Sequence, residues 1–301
     1  MLSTRLSIFF RTFAHINEEE KTVTMTKVNK VLFITQEIAP YLPDSEMSLT
    51  GRNLPSAIQE RGREIRTFMP KWGNINERRN QLHEVIRLSG MNLIIDDTDH
   101  PLIIKVASIQ STRMQVYFID NDDYFMNRLE ATDENGNEYE DNDERAIFYA
   151  RGVLETVKKL RWQPDIIHCH GWMSALAPLY IKKAYHEEPS FRDCKVVYSL
   201  YEDGLKQPFE PNFVNKVLMK GINKKDLANV KSPVDFATLN KLAIDYSDGI
   251  VQQSEHVDEQ VLEYARQSGK PFLPYAADNF ADECNNFYNL LEGNDSDEQE
   301  D

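Results

Sequence analysis

Short apolar runs alternate along this chain, from Val28 onward, with segments of helical periodicity. A short apolar run is typical of a buried strand, and apolar residues spaced three and four apart are typical of a helix with one buried face. The predicted strands are Lys30–Thr35, Glu64–Met69, Asp165–His170, Lys195–Leu200 and Gly249–Gln253. The predicted helices are Asn53–Arg61, Asp143–Lys159, Ser174–His186, a segment opened by Ser232–Asp235, and Val257–Gln267.

Three further runs of extended character, Glu84–Ile95, Leu102–Ser108 and Met114–Ile119, follow one another without a helical stretch between them. Such a succession predicts antiparallel strands joined by short turns. Elsewhere strands and helices alternate, which predicts parallel strands joined by helical crossovers. We therefore predict an α/β fold: a doubly wound parallel sheet with an antiparallel β insertion.

The chain of 301 residues has a formal net charge of −15. Nucleic acid and anionic membrane surfaces both require basic patches, so neither is an expected partner. No apolar run approaches the ~20 residues of a membrane span. The three cysteines, Cys169, Cys194 and Cys284, fit no disulfide framework and no metal-binding spacing. They are typical of a reducing compartment, and we expect a cytoplasmic protein without a metal or cofactor.

The chain divides into four parts by composition. Residues 1–27 are predicted to be a disordered extension, because the segment that follows Met25 resembles a natural opening. Residues 28–275 form the main domain, and 276–291 a C-terminal helix. Residues 292–301, beginning at Glu292, are predicted to be a solvated acidic tail.

The segment Asp165–Leu176, DIIHCHGWMSAL, carries the most informative chemistry. A buried strand ends there in His168 and His170, at the sheet edge where α/β proteins bind ligands. Two histidines on one strand face could indicate a metal site, but a third ligand is missing nearby in sequence, so hydrogen bonding at the strand end is favoured. Trp172 could stack on a sugar ring or belong to the core.

Two polar residues precede the long predicted helix over 143–159. Asp141 and Asn142 are candidates for contacts with a ligand, and capping of that helix explains them equally well. Arg145, one turn into the helix, is expected to pair with a nearby acid.

Six landmarks in order along the chain resemble the N-terminal half of family 5 glycosyltransferases, the glycogen and starch synthases. They are Glu37–Tyr41 (EIAPY), Asn53–Pro55 with Gly62, Met69–Ile75 (MPKWGNI), Val116–Phe125 (VYFIDNDDYF), Asp141–Phe148 (DNDERAIF) and Pro164–Leu176. The resemblance implies the Rossmann-like N-terminal half of a GT-B fold and ADP-glucose-dependent α-1,4-glucan glucosyl transfer. It also implies an acceptor or sugar side, for which the candidates are Asp141, Asn142, His170 and Trp172.

The same resemblance shows departures where the family contacts its donor. The family's loop carries a lysine and a glycine pair that meet the nucleotide phosphates; this chain has Pro43, Ser45 and Glu46 there. Glu46 would repel a diphosphate by ~4 kcal/mol at ~4 Å and an effective dielectric near 20. Gly171 replaces an aspartate, and Met173 replaces a donor-pocket histidine.

Two functional hypotheses follow. In the first, the chain supplies the acceptor half of a glucan synthase, and a separate chain supplies the nucleotide-binding half that this chain is expected to lack. In the second, it is a catalytically degenerate glucan-binding or regulatory protein. The family resemblance favours the first hypothesis, and the residue chemistry favours the second.

Overall fold

The computed structural model describes residues 29–202 and 204–293. In this part of the chain ten strands, β1 to β10, are Lys30–Thr35, Glu64–Pro70, His83–Glu84, Met91–Ile95, Thr98–Ile109, Met114–Asp120, Ile166–His170, Lys195–Leu200, Gly249–Gln252 and Phe272–Leu273. Eight α-helices, α1 to α8, are Glu46–Glu60, Asp122–Phe125, Asn142–Leu160, Ala177–Lys183, Phe213–Val217, Phe236–Asp245, Glu259–Gln267 and Phe280–Glu292. The predictions of disorder for residues 1–27 and 294–301 fall outside the described residues.

The sheet confirms the predicted α/β fold. Its order is β10-β9-β8-β7-β1-β2-β6-β5-β3, and β4 pairs with β5. Neighbouring strands from β10 to β6 are parallel, and β3, β4 and β5 add antiparallel pairs at one side, as the insertion prediction requires. Chain order reverses between β1 and β7, so the crevice for a ligand lies beyond the carboxyl ends of these two strands.

Helices cover both faces of the sheet because both faces of a parallel sheet are apolar. On one face, α1 and α8 pack on alternate residues of β1, β7, β8 and β9, such as Phe33 and Val197. On the other face, α3, α4 and α6 pack on a larger apolar core that continues under the antiparallel strands. The two histidines of β7 belong to the α1 and α8 side, where His168 meets Tyr288.

Three helix starts differ from the sequence prediction by three residues or more. Helix α1 begins at Glu46, well before residue 53, since Ser45 caps it with a side chain that accepts from the Ser48 amide. Helix α6 begins at Phe236 with Asp235 as the cap, so Ser232 is not the capping residue. The predicted helix over 174–186 is shorter, because a 3₁₀ turn at 172–174 precedes α4.

Glu292 is the last residue of α8, where the sequence placed the start of a solvated tail. Its carboxylate accepts hydrogen bonds from Arg63 at 3.1 and 3.2 Å and from Asn29 at 3.0 Å. The side chains of Arg63 and Glu292 are only 6% and 8% exposed. A buried carboxylate needs such partners, and here they join α8 to the strands at the start of the domain.

Among residues 29–202 and 204–293, we find no helix with the length and apolar character needed to cross a membrane.

Candidate functional site

The crevice between β1 and β7 is narrow because the residues that follow the two strands contact each other. The side-chain oxygen Oε1 of Gln36, which follows β1, accepts from the Met173 amide at 3.3 Å. Gly171, which follows β7, has φ 79° and ψ 167°, a conformation essentially confined to glycine. A Cβ at this position would lie 2.4 Å from the same Gln36 oxygen. The structure therefore accommodates glycine where the resemblance places an aspartate.

The loop positions that the resemblance predicts to depart from the family's donor loop lie at the start of a helix. Ser45 is the N-cap of α1, and its hydroxyl donates to Glu37 Oε2 at 2.6 Å. Ser48 Oγ in turn donates to the carbonyl of Pro43 at 2.9 Å. Glu46, in the first turn, accepts from the Ser254 hydroxyl at 2.5 Å. A carboxylate of the protein thus occupies the positive end of the helix dipole, where an anionic ligand would otherwise be favoured.

A cavity of about 440 Å³ lies at this edge, and we call it the switch-point pocket. It is lined by Glu37, Ser45, Glu46, Met47, Tyr201 and Glu202. Burial raises the pKa of Glu37 above its ordinary value, although the hydrogen bond from Ser45 opposes that shift. With three carboxylates on its wall, the pocket disfavours a diphosphate.

The two histidines of β7 are buried and neutral, with ring centroids 4.0 Å apart. His168 bonds to the Tyr288 hydroxyl at 2.6 Å and to the Ser199 hydroxyl at 2.7 Å. His170 bonds to the Tyr201 hydroxyl at 2.9 Å. Burial lowers the pKa of His168 well below its ordinary value and that of His170 to about 3. His170 therefore reaches the switch-point pocket through Tyr201, which lines it.

A second cavity, of about 350 Å³, lies between the loop before α3 and the segment after β8, and we call it the lateral groove. Its lining residues are Glu138, Tyr139, Glu140, Asn142, Leu205, Gln207, Pro208, Phe209, Glu210, Pro211, Ser232 and Pro233. Trp172 is 3% exposed and packs behind the groove against Phe209, at 6.4 Å between ring centroids. Asn142 thus lines the lateral groove and Trp172 contacts Phe209, which also lines it, whereas His170 contacts Tyr201 of the switch-point pocket.

Neither Asp141 nor Asn142 caps α3 with its side chain, as one alternative predicted. Asp141 occupies the N-cap position, but its carboxylate pairs with Arg128, and a side-chain cap bond is absent among the described residues. Asn142 donates to the carbonyl of Ala131 at 2.9 Å and accepts from Arg145 at 2.8 Å. Their polar atoms thus hold the loop that forms one wall of the lateral groove.

The expectation that Arg145 pairs with an acid is wrong. Its guanidinium, fully buried, donates to the carbonyls of Tyr124, Leu129 and Glu130 at 2.7 to 3.0 Å. Burial lowers the pKa of Arg145 to about 9. Carbonyl oxygens satisfy its fixed donor geometry without a second buried charge.

Sequence reasoning missed Glu37, Glu202 and Ser254 as residues of the crevice, because they come from three distant segments. The start of α1 did have a signal. Ser45 and Ser48 stand three residues apart, and each side chain accepts from the other's backbone amide, which is a capping box.

The parallel sheet with a crevice at its point of reversal, flanked by helices on both faces, is a Rossmann-like half of a GT-B glycosyltransferase. The solved catalytic domain of starch synthase IV from Arabidopsis thaliana, bound to ADP and acarbose, has this fold. It matches with a TM-score of 0.66 at 17% identity, over 82% of this chain and 51% of that one.

A family model described as the starch synthase catalytic domain matches residues 30–270. The chain therefore belongs to the starch synthase catalytic-domain family. It is 31% identical to a glycogen synthase of Chlorobaculum tepidum over 272 residues, which are 89% of this chain and 53% of that protein. A glycogen synthase of Chlorobium limicola is 39% identical over 180 residues, 58% of this chain and 37% of that protein. The chain thus spans about a third to a half of the length of these relatives.

Proposed function

We propose that this domain binds α-glucan and does not use ADP-glucose in the manner of its family, so that it acts as a glucan-binding or regulatory member. One observation carries the proposal: the switch-point pocket and the lateral groove are each lined by three carboxylates. Carboxylates accept hydrogen bonds from the hydroxyls of a neutral sugar, whereas they repel a diphosphate.

On the donor side, the argument rests on Glu46. Its carboxylate lies at the N-terminus of α1 and is held there by the Ser254 hydroxyl. A phosphate in that place would have to displace this contact and would meet repulsion of about 4 kcal/mol for unit charges ~4 Å apart at an effective dielectric near 20. Met173 and the constrained Gly171 add no hydrogen-bonding side chain for the donor sugar.

On the glucan side, the argument rests on the lateral groove. Tyr139, Phe209 and the neighbouring prolines provide apolar walls that match the C–H faces of glucose. Asn142 and Gln207 provide amide groups, and the carboxylates of the groove provide acceptors for sugar hydroxyls. A volume of about 350 Å³ is within the range of small-ligand pockets.

The alternative is that the chain supplies the acceptor half of an ADP-glucose-dependent synthase with a separate chain carrying the nucleotide-binding half. The family match over residues 30–270 supports it. A cytoplasmic location belongs to either proposal and is supported by three free, buried cysteines.

The test combines two measurements on the purified chain. We expect co-sedimentation with glycogen, and no release of ADP from ADP-glucose in the presence of glycogen. ADP release by the chain alone would refute the proposal that the chain is catalytically degenerate. Release only after addition of a nucleotide-binding half from a related synthase would support the alternative. Failure to sediment with glycogen would refute glucan binding.

A pair of variants isolates the donor-side argument. Glu46→Gln removes the charge at the start of α1 and should raise the affinity for ADP by roughly tenfold or more, measured by titration calorimetry. Glu259→Gln is the matched control, because Glu259 also lies in the first turn of a helix, far along the chain in α7. Equal ADP affinity in the two variants would show that Glu46 does not exclude the nucleotide.

A further inference from the structure

The two walls of the lateral groove come from segments nearly 70 residues apart in sequence, and one side chain joins them. The carboxylate of Glu138 accepts from the backbone amide of Lys206 at 2.6 Å through one oxygen. Its other oxygen accepts from the amide of Gln207 at 2.9 Å. We propose that Glu138 is a positioning residue that sets the separation of the groove walls for an α-glucan chain; this rests on the proposed function.

The wall that carries Glu138 is firmly held. Glu138 pairs with Thr132 across a short hairpin, whose turn is closed by the Asp133 carboxylate accepting from the Asn135 and Asn137 amides. Arg145 then fixes the chain just before the hairpin through backbone carbonyls. The carboxylate of Glu138 is therefore presented from a rigid support.

The opposite wall depends more on Glu138. The segment after β8 is next anchored at Phe209, whose amide donates to Val234 at 2.9 Å. Before that point, the bonds to Glu138 are what tie Lys206 and Gln207 to the hairpin. Because Gln207, Pro208 and Phe209 line the groove, release of the two amides would move the wall that faces a bound sugar.

The chemistry of the contact makes a carboxylate necessary. Two backbone N–H groups point at two oxygens, and an ionised carboxylate offers acceptors only. In Glu138→Gln, one oxygen becomes an NH₂ group that faces an amide donor, so one bond is lost and replaced by a donor–donor contact. In Glu138→Asp the charge is kept, but the side chain is one methylene shorter and cannot span the same gap.

Glu140 provides the matched control. It lines the same groove and is exposed, and within the described residues no hydrogen bond joins its side chain to the segment 205–211. Glu140→Gln removes the same charge from the groove without releasing the opposite wall.

The experiment measures hydrogen exchange of the Lys206 and Gln207 amides, maltoheptaose affinity by titration calorimetry, and melting temperature in all variants. We expect Glu138→Gln and Glu138→Asp to exchange these amides about tenfold faster and to bind maltoheptaose about tenfold more weakly, at a nearly unchanged melting temperature. Glu140→Gln should match the wild type in the exchange of these amides, and it should lose less affinity for maltoheptaose than Glu138→Gln, because it removes one groove acceptor without releasing the opposite wall.

Unchanged exchange in Glu138→Gln would overturn the contact itself, whether or not glucan binds. Faster exchange with unchanged affinity would show that Glu138 only orders the loop, and would overturn the positioning role. Equal loss of affinity in Glu138→Gln and Glu140→Gln would assign the effect to charge alone. Absence of maltoheptaose binding by the wild type would instead refute the proposed function, while the exchange measurement would still decide the contact.

Discussion

Tyr288→Phe is a change of one hydroxyl that tests how α8 is joined to the sheet. Tyr288 is fully buried, and its hydroxyl lies 2.6 Å from Nδ1 of His168. The other ring nitrogen, Nε2, lies 2.7 Å from the Ser199 hydroxyl. Since burial lowers the pKa of His168 far below its ordinary value, the ring is neutral and has one donor and one acceptor nitrogen. The two hydroxyls must therefore take opposite roles, and neither replaces the other.

Loss of the Tyr288 hydroxyl leaves a buried nitrogen without its partner. The cost of an unsatisfied buried polar group is about 1–3 kcal/mol, and we expect the free energy of unfolding to fall by that amount. Urea denaturation monitored by circular dichroism measures it, and the melting temperature should fall by several degrees. Tyr275→Phe is the control, because Tyr275 is 37% exposed and its hydroxyl can meet water.

A double-mutant cycle with Ser199→Ala sharpens the test. Because both hydroxyls bond to one imidazole, we expect the effects of Tyr288→Phe and Ser199→Ala to be non-additive by at least about 0.5 kcal/mol. A loss below about 0.5 kcal/mol in Tyr288→Phe, indistinguishable from Tyr275→Phe, would refute the view that this hydrogen bond holds α8 on the sheet.

Two further predictions concern the crevice and the buried ionisable groups. Gly171→Asp, which introduces the residue that the resemblance places there, should destabilise the fold by about 1–3 kcal/mol, because φ is 79° and the new Cβ would meet Gln36; a variant as stable as the wild type in urea would contradict this. On acidification below pH ~6.5, His168 and His170 take up protons only when unfolded, so each lowers the free energy of unfolding by up to about 1.4 kcal/mol per pH unit. Burial raises the pKa of Asp143 to about 6, so this carboxyl binds its proton preferentially in the folded state. Between pH ~4 and 6 its protonation therefore offsets the loss of unfolding free energy that one of the two histidines causes. Urea titrations at pH 7, 6 and 5 should show that the free energy of unfolding falls with pH, and that it falls more steeply in Asp143→Asn. A free energy of unfolding that does not change with pH would exclude neutral buried histidines.

The strands were the most predictable part of this fold. The runs Lys30–Thr35 and Lys195–Leu200 predict strands with the bounds that the structure has. In both cases a continuous apolar run is buried on two faces, so local sequence and tertiary environment agree. The order of strands and helices then restricts the topology to a doubly wound sheet.

Helix starts and polar contacts were less predictable. The polar stretch before residue 53 has no apolar periodicity, yet it is helical because Ser45 caps it and Met47 is buried at the crevice. Arg145 was expected to pair with an acid, and it binds carbonyls instead, since the loop over 124–130 folds around its guanidinium. Such partners depend on the position of backbone segments that are distant in sequence, and the spacing of residues along the chain does not predict that position.

The sequence by itself determined the class of fold, because buried runs and their succession along the chain are local properties, and its six landmarks indicated the family; the order of the strands within the sheet came from the structure. The sequence also predicted, through the family resemblance, departures from the family's donor loop at Ser45 and Glu46. Only the tertiary structure decided that Glu46 meets Ser254 across the crevice, and that Glu138 joins two groove walls. These contacts bring together segments about 70 to 200 residues apart, and the packing of helices on the sheet, rather than the residues themselves, sets their distance.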